Sequence, residues 1–180
     1  MIVQIRGTSG SGKSTAMRKV MKAIGGWEPI YKKGRRQPLY YQSGSVALLG
    51  HYESPCGGCD TIGSARQVYD TIQTLPHEVL LCEGLLLSED TKWSSQLPDL
   101  RVVFLTTGLD TCLDRIGERR RASGNDKPLN PKNTTGRVRT IERARVKLEN
   151  VGVCCRRASA DQAPGLILGW LKLHAEPEGD

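Results

Sequence analysis

The chain has 180 residues, 38% of them hydrophobic and 25% charged, with 26 lysines and arginines against 19 aspartates and glutamates and a net charge of +7. Its length predicts a single domain over 1–180, and its composition excludes collagen, low-complexity disorder and coiled coil. The most apolar stretch, Val79 to Leu87, is broken by Glu83 and too short to span a bilayer, so no membrane association is expected.

In chain order, Ile2 to Arg6 reads as a short buried strand ended by the glycine-rich run from Gly7. Ser14 to Ile24 carries Met17, Val20, Met21 and Ile24 at helical spacing, with Arg18, Lys19 and Lys22 turned away, and Gly25-Gly26 closes it. Tyr31 to Arg36 is a basic loop, followed by predicted strands at Leu39–Gln42 and Val46–His51. Asp60 is placed to cap a helix that runs to about Leu75 and stops at Pro76. Val79–Glu83 and Arg101–Leu105 are continuous apolar strands, each followed by a helix-length stretch, the later one from Leu109 to about Arg121. Ser123 to Thr135 reads as a loop rich in Gly, Pro, Asn and Lys.

Arg137 to Asn150 predicts a helix with Val138, Ile141, Ala144 and Leu148 as its apolar stripe and Arg139, Arg143 and Lys147 on another face. Arg145 falls within that stripe, so it either snorkels to the helix edge or reaches a phosphate across a cleft. Val151–Arg156 is the last predicted strand, Asp161–Leu173 a closing helix with Pro164 in its first turn, and Ala175–Asp180 a frayed tail. Strands apolar on both faces and alternating with helices predict a parallel sheet covered on both sides.

Met1 runs into Ile2-Val3-Gln4-Ile5 without the basic n-region of a secretory signal, so a cytoplasmic location and six reduced cysteines are expected. Cys56-Gly57-Gly58-Cys59 has a zinc-like spacing but no second ligand pair, Cys154 and Cys155 being adjacent. It reads as a tight turn between small buried thiols. The basic charge balance favours polyanionic partners. With three Trp, five Tyr and one Phe, any nucleic-acid contact should run through the backbone and not a platform of stacked bases.

Gly7, Thr8, Ser9, Gly10, Ser11, Gly12, Lys13 and Ser14 match the phosphate-loop pattern G-x-x-x-x-G-K-[ST] in full, between an apolar strand and an amphipathic helix. Glycines let successive amides approach phosphate oxygens, and the helix start behind them adds its positive end. Lys13 supplies a compact charge for the β and γ phosphates of ATP, and the Ser14 hydroxyl a ligand for Mg²⁺. Thr15 stands where a dinucleotide-binding loop would have its third glycine, and neither H-R-D nor D-F-G occurs, so Rossmann and protein-kinase readings fail.

On this loop, on Val79-Leu80-Leu81-Cys82-Glu83-Gly84, and on Arg101 to Thr107 leading into Leu109–Arg119, the chain resembles the small P-loop kinases of nucleotides, nucleosides and polynucleotides. The resemblance implies a P-loop NTPase-type three-layer α/β fold. Its parts are a five-stranded parallel sheet, helices on both faces, an arginine-bearing lid at about 119–137 and an acceptor-side segment at about 31–75. Leu49 to Thr61 is similar to phage DNA kinases that phosphorylate 5-hydroxymethyluracil already in DNA. That implies an ATP- and Mg²⁺-dependent phosphotransferase acting on a modified pyrimidine in DNA, in the host cytoplasm if phage-encoded, with no protein partner.

Carried onto this chain, Asp60 is the candidate general base, against an ordinary N-cap aspartate; one residue can be both. Glu83, at the end of a buried strand, is a candidate for the Mg²⁺ shell through water, against an exposed strand end, and is the alternative base if Asp60 is remote. Arg115 and Arg119 lie one helical turn apart and suit the charge of a transferring phosphoryl group. Arg120 and Arg121 read as a solvated helix end, and Lys127 as a loop lysine near ATP or merely in solvent. Lys32, Lys33, Arg35, Arg36, Arg139, Arg143 and Lys147 are numerous for a small nucleotide, which points toward DNA. The rivals are a kinase of free deoxynucleotides or nucleosides, a polynucleotide 5′-hydroxyl kinase, and a non-catalytic ATP-binding regulatory DNA protein.

Overall fold

The computed structural model describes residues 1–175 apart from 55–56 and 126–127. Cys56, Lys127 and the tail beyond Ala175 therefore lie outside the described residues. The elements in chain order are β1 (Ile2–Arg6), α1 (Lys13–Ile24), β2 (Glu28–Ile30), β3 (Tyr40–Ser43), β4 (Val46–Leu49), α2 (Ala65–Thr74), β5 (Val79–Glu83), α3 (Leu85–Ser88), β6 (Leu100–Leu105), α4 (Leu109–Ala122), α5 (Pro131–Asn150), β7 (Cys154–Ala158) and α6 (Ala163–Ala175). Single 3₁₀ turns at Cys59–Thr61 and Ser94–Gln96 follow β4 and α3.

One sheet of seven strands runs in the order β2-β3-β4-β5-β1-β6-β7. The five strands from β4 to β7 are parallel, whereas β3 is antiparallel to β4 and β2 antiparallel to β3. The sheet is thus mixed and seven-stranded, not the five-stranded parallel sheet expected. Ser43 pairs with Val46 across Gly44-Ser45. A two-residue connection can join only antiparallel strands, because a parallel crossover needs a dozen or more residues. β2 was hidden by Pro29, which is tolerated because the strand forms the sheet edge.

Helices cover both faces. Val3, Ile5, Leu81 and Val103 pack against Met17 and Val20 of α1 and Ile167 of α6. On the other face Leu80, Cys82, Val102 and Phe104 meet Val68, Tyr69 and Ile72 of α2 and Ile141 and Leu148 of α5. This second face also takes in Arg6, which is fully buried. Its Nε and Nη2 donate to Gln4 Oε1 at 3.0 and 2.6 Å, Nη2 donates to Ser94 Oγ, and Nη1 donates to the Asp90 carbonyl. Ser94 Oγ bonds Asp90 Oδ2 at 2.7 Å and Tyr69 Oη at 2.6 Å. Burial lowers the Arg6 pKa from its ordinary value, with Tyr69 and Asp90 pulling it back up. The network ties the segment after α3 to the last residue before Gly7.

Several element boundaries differ from expectation for local reasons. Asp60 does not cap α2; it lies in the 3₁₀ turn, and α2 starts behind Ser64. The Ser64 hydroxyl accepts from Gln67 N at 3.3 Å while Gln67 Oε1 accepts from Ser64 N at 3.0 Å. α5 begins six residues early, inside the stretch expected to be loop, because Asn130 Oδ1 caps Lys132 N at 3.0 Å and Pro131 sets the first turn. Val138 is 38% exposed, and Thr134 joins Ile141, Ala144 and Leu148 on the buried side instead. Arg145 stays on its own helix, donating to Glu142 and Glu149 at 2.6 Å each, so it reaches no cleft. β4 ends at Leu49 instead of His51, β7 starts at Cys154, with Val151-Gly152 a turn, and α6 starts at Ala163, with Pro164 second. Among the described residues no helix is long and apolar enough to cross a membrane.

The reciprocal cap at Ser64 is worth about 1 kcal/mol. Ser64→Ala is expected to lower the thermal midpoint by about 2–4 °C, read by calorimetry, with the far-ultraviolet circular dichroism otherwise unchanged.

Candidate active site

The phosphate loop leaves β1 at the carboxyl edge of the sheet, where β5 and β6 flank it. Its carbonyls are drawn away by fixed donors: Lys13 Nζ bonds those of Gly7 and Thr8 at 2.8 and 3.1 Å, Arg115 Nη1 that of Gly10 at 3.2 Å, and Thr107 Oγ1 that of Ser11 at 2.7 Å. The amides are the groups this leaves for an anion. Gly10 has φ +78° and a Cβ there would sit 2.4 Å from the Cys112 carbonyl oxygen, so only glycine fits that bend. Gly7 N donates to Ser88 Oγ at 3.2 Å, and that hydroxyl donates on to the Gly84 carbonyl, locking the loop to α3.

Lys13 is 8% exposed and Glu83 1% exposed. Burial pushes the Lys13 pKa down, opposed by Glu83 and Asp60. Burial pushes Glu83 up to about 7, opposed by Lys13 and by the hydrogen bond from Ser14. Ser14 Oγ donates to Glu83 Oε1 at 2.7 Å. These adjacent hard oxygens suit a Mg²⁺ ion that keeps most of its water, and among the described residues no cluster of three His, Cys, Asp or Glu offers a fuller protein cage.

Gly58 closes over this pair: at φ +75°, a Cβ would lie 2.4 Å from Glu83 Oε1. The glycine turn before Cys59 is therefore a close backbone cover on a buried carboxylate, held by Gly58 N to the His51 carbonyl at 2.7 Å. Arg18 of α1 secures the same segment, donating from Nε to the Tyr52 carbonyl at 3.0 Å and from Nη2 to that of Ser54.

Asp60 faces the same cleft. Its Oδ2 accepts from Leu85 N at 2.9 Å and its Oδ1 from Leu86 N at 3.1 Å, so it caps α3 from across the loop and remains exposed. The cleft, about 470 Å³, is lined by Ser9, Gly10, Gly12, Lys13, Ser14 and Thr15 on one side and by Asp60, Glu83, Arg115 and Arg119 on the other. Thus the fold brings Asp60, Glu83, Arg115 and Arg119 to the phosphate loop. Thr8 and Ser11 stand behind it, each buried.

Arg121 does not line this cleft, and Arg120 faces away, donating to the Pro128 carbonyl at 3.4 Å. Lys32, Lys33, Arg36, Arg139, Arg143 and Lys147 are exposed, and Arg35 is half-buried, donating to the Thr61 carbonyl at 3.1 Å. Sequence reasoning missed Arg18, Ser88, Thr107 and Gly58. Only Gly58, in the Gly-Gly pair, carried a signal.

No protein-family model matches the chain. A protein of Pseudomonas phage PaMx11 named 5-hmdU DNA kinase is 39% identical over 174 residues, spanning 90% of this chain and 92% of that one. The chain belongs to the phage 5-hmdU DNA kinase family. A second member, from Pseudomonas phage M6 and of the same name, is 28% identical over 163 residues, spanning 81% and 83%. Membership makes the chain a phosphotransferase. The Bacillus subtilis YorR protein, solved in complex with phosphorylated GDP, aligns over 98% of this chain and all of its own at a TM-score of 0.50 and 15% identity. That likeness shows a shared α/β fold.

A carboxylate raised to about 7 binds a proton in the folded protein between its ordinary pKa and 7, where the unfolded chain has released it. Its contribution to stability therefore falls as pH rises through that window. Without nucleotide or magnesium, the stability of Glu83→Gln relative to wild type should increase from pH 5 to pH 8, by up to about 3 kcal/mol. Urea titrations at both pH values measure it, and a constant difference would contradict it.

Proposed function

We propose that the chain transfers the γ-phosphate of ATP to the 5-hydroxymethyl group of 5-hydroxymethyluracil in DNA, using the cleft around Lys13. The observation that supports this reading is the convergence on one phosphate loop of an ammonium, two carboxylates and two arginines at the carboxyl ends of parallel strands. In the proposed step the acceptor hydroxyl oxygen bonds the γ-phosphorus while the bond from that phosphorus to the β,γ-bridging oxygen breaks. ADP leaves, and the hydroxyl proton passes to a carboxylate. The product is a phosphomethyl base.

Asp60 is the proposed base. Its two amide bonds fix the carboxylate plane while leaving further lone pairs toward the cleft. Ser14 and Glu83 would hold Mg²⁺, which when bound neutralises charge on the β and γ oxygens. Lys13 exchanges its loop carbonyls for phosphate oxygens, and the loop amides orient them. Arg115 and Arg119 face the charge that spreads over the transferring group. The segment from Arg119 to Arg137 acts as the lid, its ends formed by the last turn of α4 and the first turns of α5. The exposed basic loop at 31–36 and the face of Arg139, Arg143 and Lys147 carry DNA phosphates. With phage-encoded relatives, the setting is the host cytoplasm.

With γ-labelled ATP and magnesium, label is expected on duplex carrying 5-hydroxymethyluracil and not on unmodified duplex, free 5′ ends or free deoxynucleotides. Label on deoxynucleotides would instead favour a small-substrate kinase. Lys13→Ala should abolish transfer. Asp60→Asn should lower kcat by about 10²–10⁴ with ATP affinity retained, whereas Glu83→Gln should raise the magnesium needed. If Asp60→Asn keeps wild-type kcat and Glu83→Gln loses it at saturating magnesium, Glu83 is the base.

A further inference from the structure

A second groove, about 380 Å³, adjoins the nucleotide cleft and shares Ser9, Leu85 and Arg119 with it. It opens between α4, the start of α5 and the phosphate-loop tip, and its walls come largely from the segment proposed above as the lid. Its volume lies within the about 300–1,000 Å³ of small-molecule clefts. Leu85, Ile116, Pro128 and Leu129 offer an apolar wall, while Asn130 and Asn133 supply amides. Asn130 spends its oxygen on capping α5 but keeps its two N–H donors. Arg120 and Arg137 stand at the same groove. Among the described residues Arg137 forms one ion pair, with Glu89 just after α3, at 3.5 Å, the arginine exposed and the glutamate half-buried. Such a pair is weak and can yield to a stronger anion.

Apolar flanks with carboxamides suit the faces and the hydrogen-bonding edge of a pyrimidine, and arginines suit the phosphates on either side of it. The residues shared with the nucleotide cleft put any base bound here beside Ser9 of the phosphate loop. A base stacked in duplex cannot enter a groove walled by two helices. We infer that this groove receives the target pyrimidine extruded from DNA, with Asn133 reading its edge and Arg137 holding an adjacent phosphate. The inference rests on the DNA-kinase reading above and specifies how that acceptor is reached. Selection of the modified base then follows from reach, because only a pyrimidine carrying an oxygen beyond its 5-methyl carbon presents a nucleophile to the γ-phosphate.

The test uses the full-length protein and a duplex with 2-aminopurine opposite 5-hydroxymethyluracil, together with magnesium and a non-hydrolysable ATP analogue. Wild type should raise aminopurine fluorescence several-fold on binding. Asn133→Trp, on an exposed first-turn position and large enough to fill the groove, should abolish the rise and increase KM for modified duplex at least tenfold. Calorimetric ATP binding should confirm that the variant is folded. Arg137→Gln should lower the salt slope of DNA binding by about 0.9 log unit per log unit. Wild-type KM and fluorescence in Asn133→Trp overturn the inference, as does transfer by wild type without a fluorescence rise. An Asn133→Trp effect on KM for ATP alone assigns the groove to the donor and also overturns it. Absence of any transfer to modified DNA by wild type marks failure of the DNA-kinase reading itself.

Discussion

Removing the Lys13 ammonium and the Glu83 carboxylate from water costs several kcal/mol per ion, and the carboxyl edge of the sheet is organised around offsetting that cost. Lys13 satisfies its protons on two loop carbonyls, Glu83 accepts from Ser14, and Gly58 seals the carboxylate from above. The offset is partial, which is why burial moves both groups toward their neutral forms. A site held in this condition gains electrostatically from a polyanion with a divalent cation, since both supply the charges the pair lacks. Stability given up here is binding free energy in waiting.

The rest of the molecule supplies rigidity to that edge. Arg6 ends β1 inside the core and ties Gln4, Asp90 and Ser94 together directly beneath Gly7. Ser88 takes the Gly7 amide, Thr107 and Arg115 take loop carbonyls, and Arg18 carries the segment after β4 onto α1. Contacts from α3, from the β6–α4 connection and from α4 thus converge on the eight loop residues. An anion site built from backbone amides needs this, because amides bind well only when they need no reorganisation.

The antiparallel strands β2 and β3 extend the parallel layer on the side that holds Asp60, and Arg35 links their basic loop to the Thr61 carbonyl next to it. Basic charge is thereby mechanically continuous with the turn that carries Asp60. The PaMx11 relative matches this chain over nearly the whole of both, whereas the YorR protein shares only the architecture at 15% identity. Fold alone leaves the acceptor open, since one scaffold hosts many acceptors through its loops.

Local sequence sufficed wherever the physics was local. The phosphate loop was legible because its glycines, lysine and serine act within eight consecutive residues. Strands β4, β5 and β6 were legible because burial on both faces writes near-continuous apolar runs. The antiparallel edge was not: a parallel sheet was expected despite the two-residue Gly44-Ser45 link between two predicted strands, and Pro29 masked the outer strand β2. Asp60 was found by type and position but given the wrong helix, since the amides it caps, Leu85 and Leu86, lie 25 and 26 residues on. Arg18, Ser88 and Thr107 carried no signal at all, as each acts on backbone far along the chain. Composition and spacing determined a loop of phosphate-binding pattern between a buried strand and a helix. Only tertiary packing decided which carboxylates and arginines surround it, because hydrogen bonds between distant segments depend on where the sheet brings those segments together.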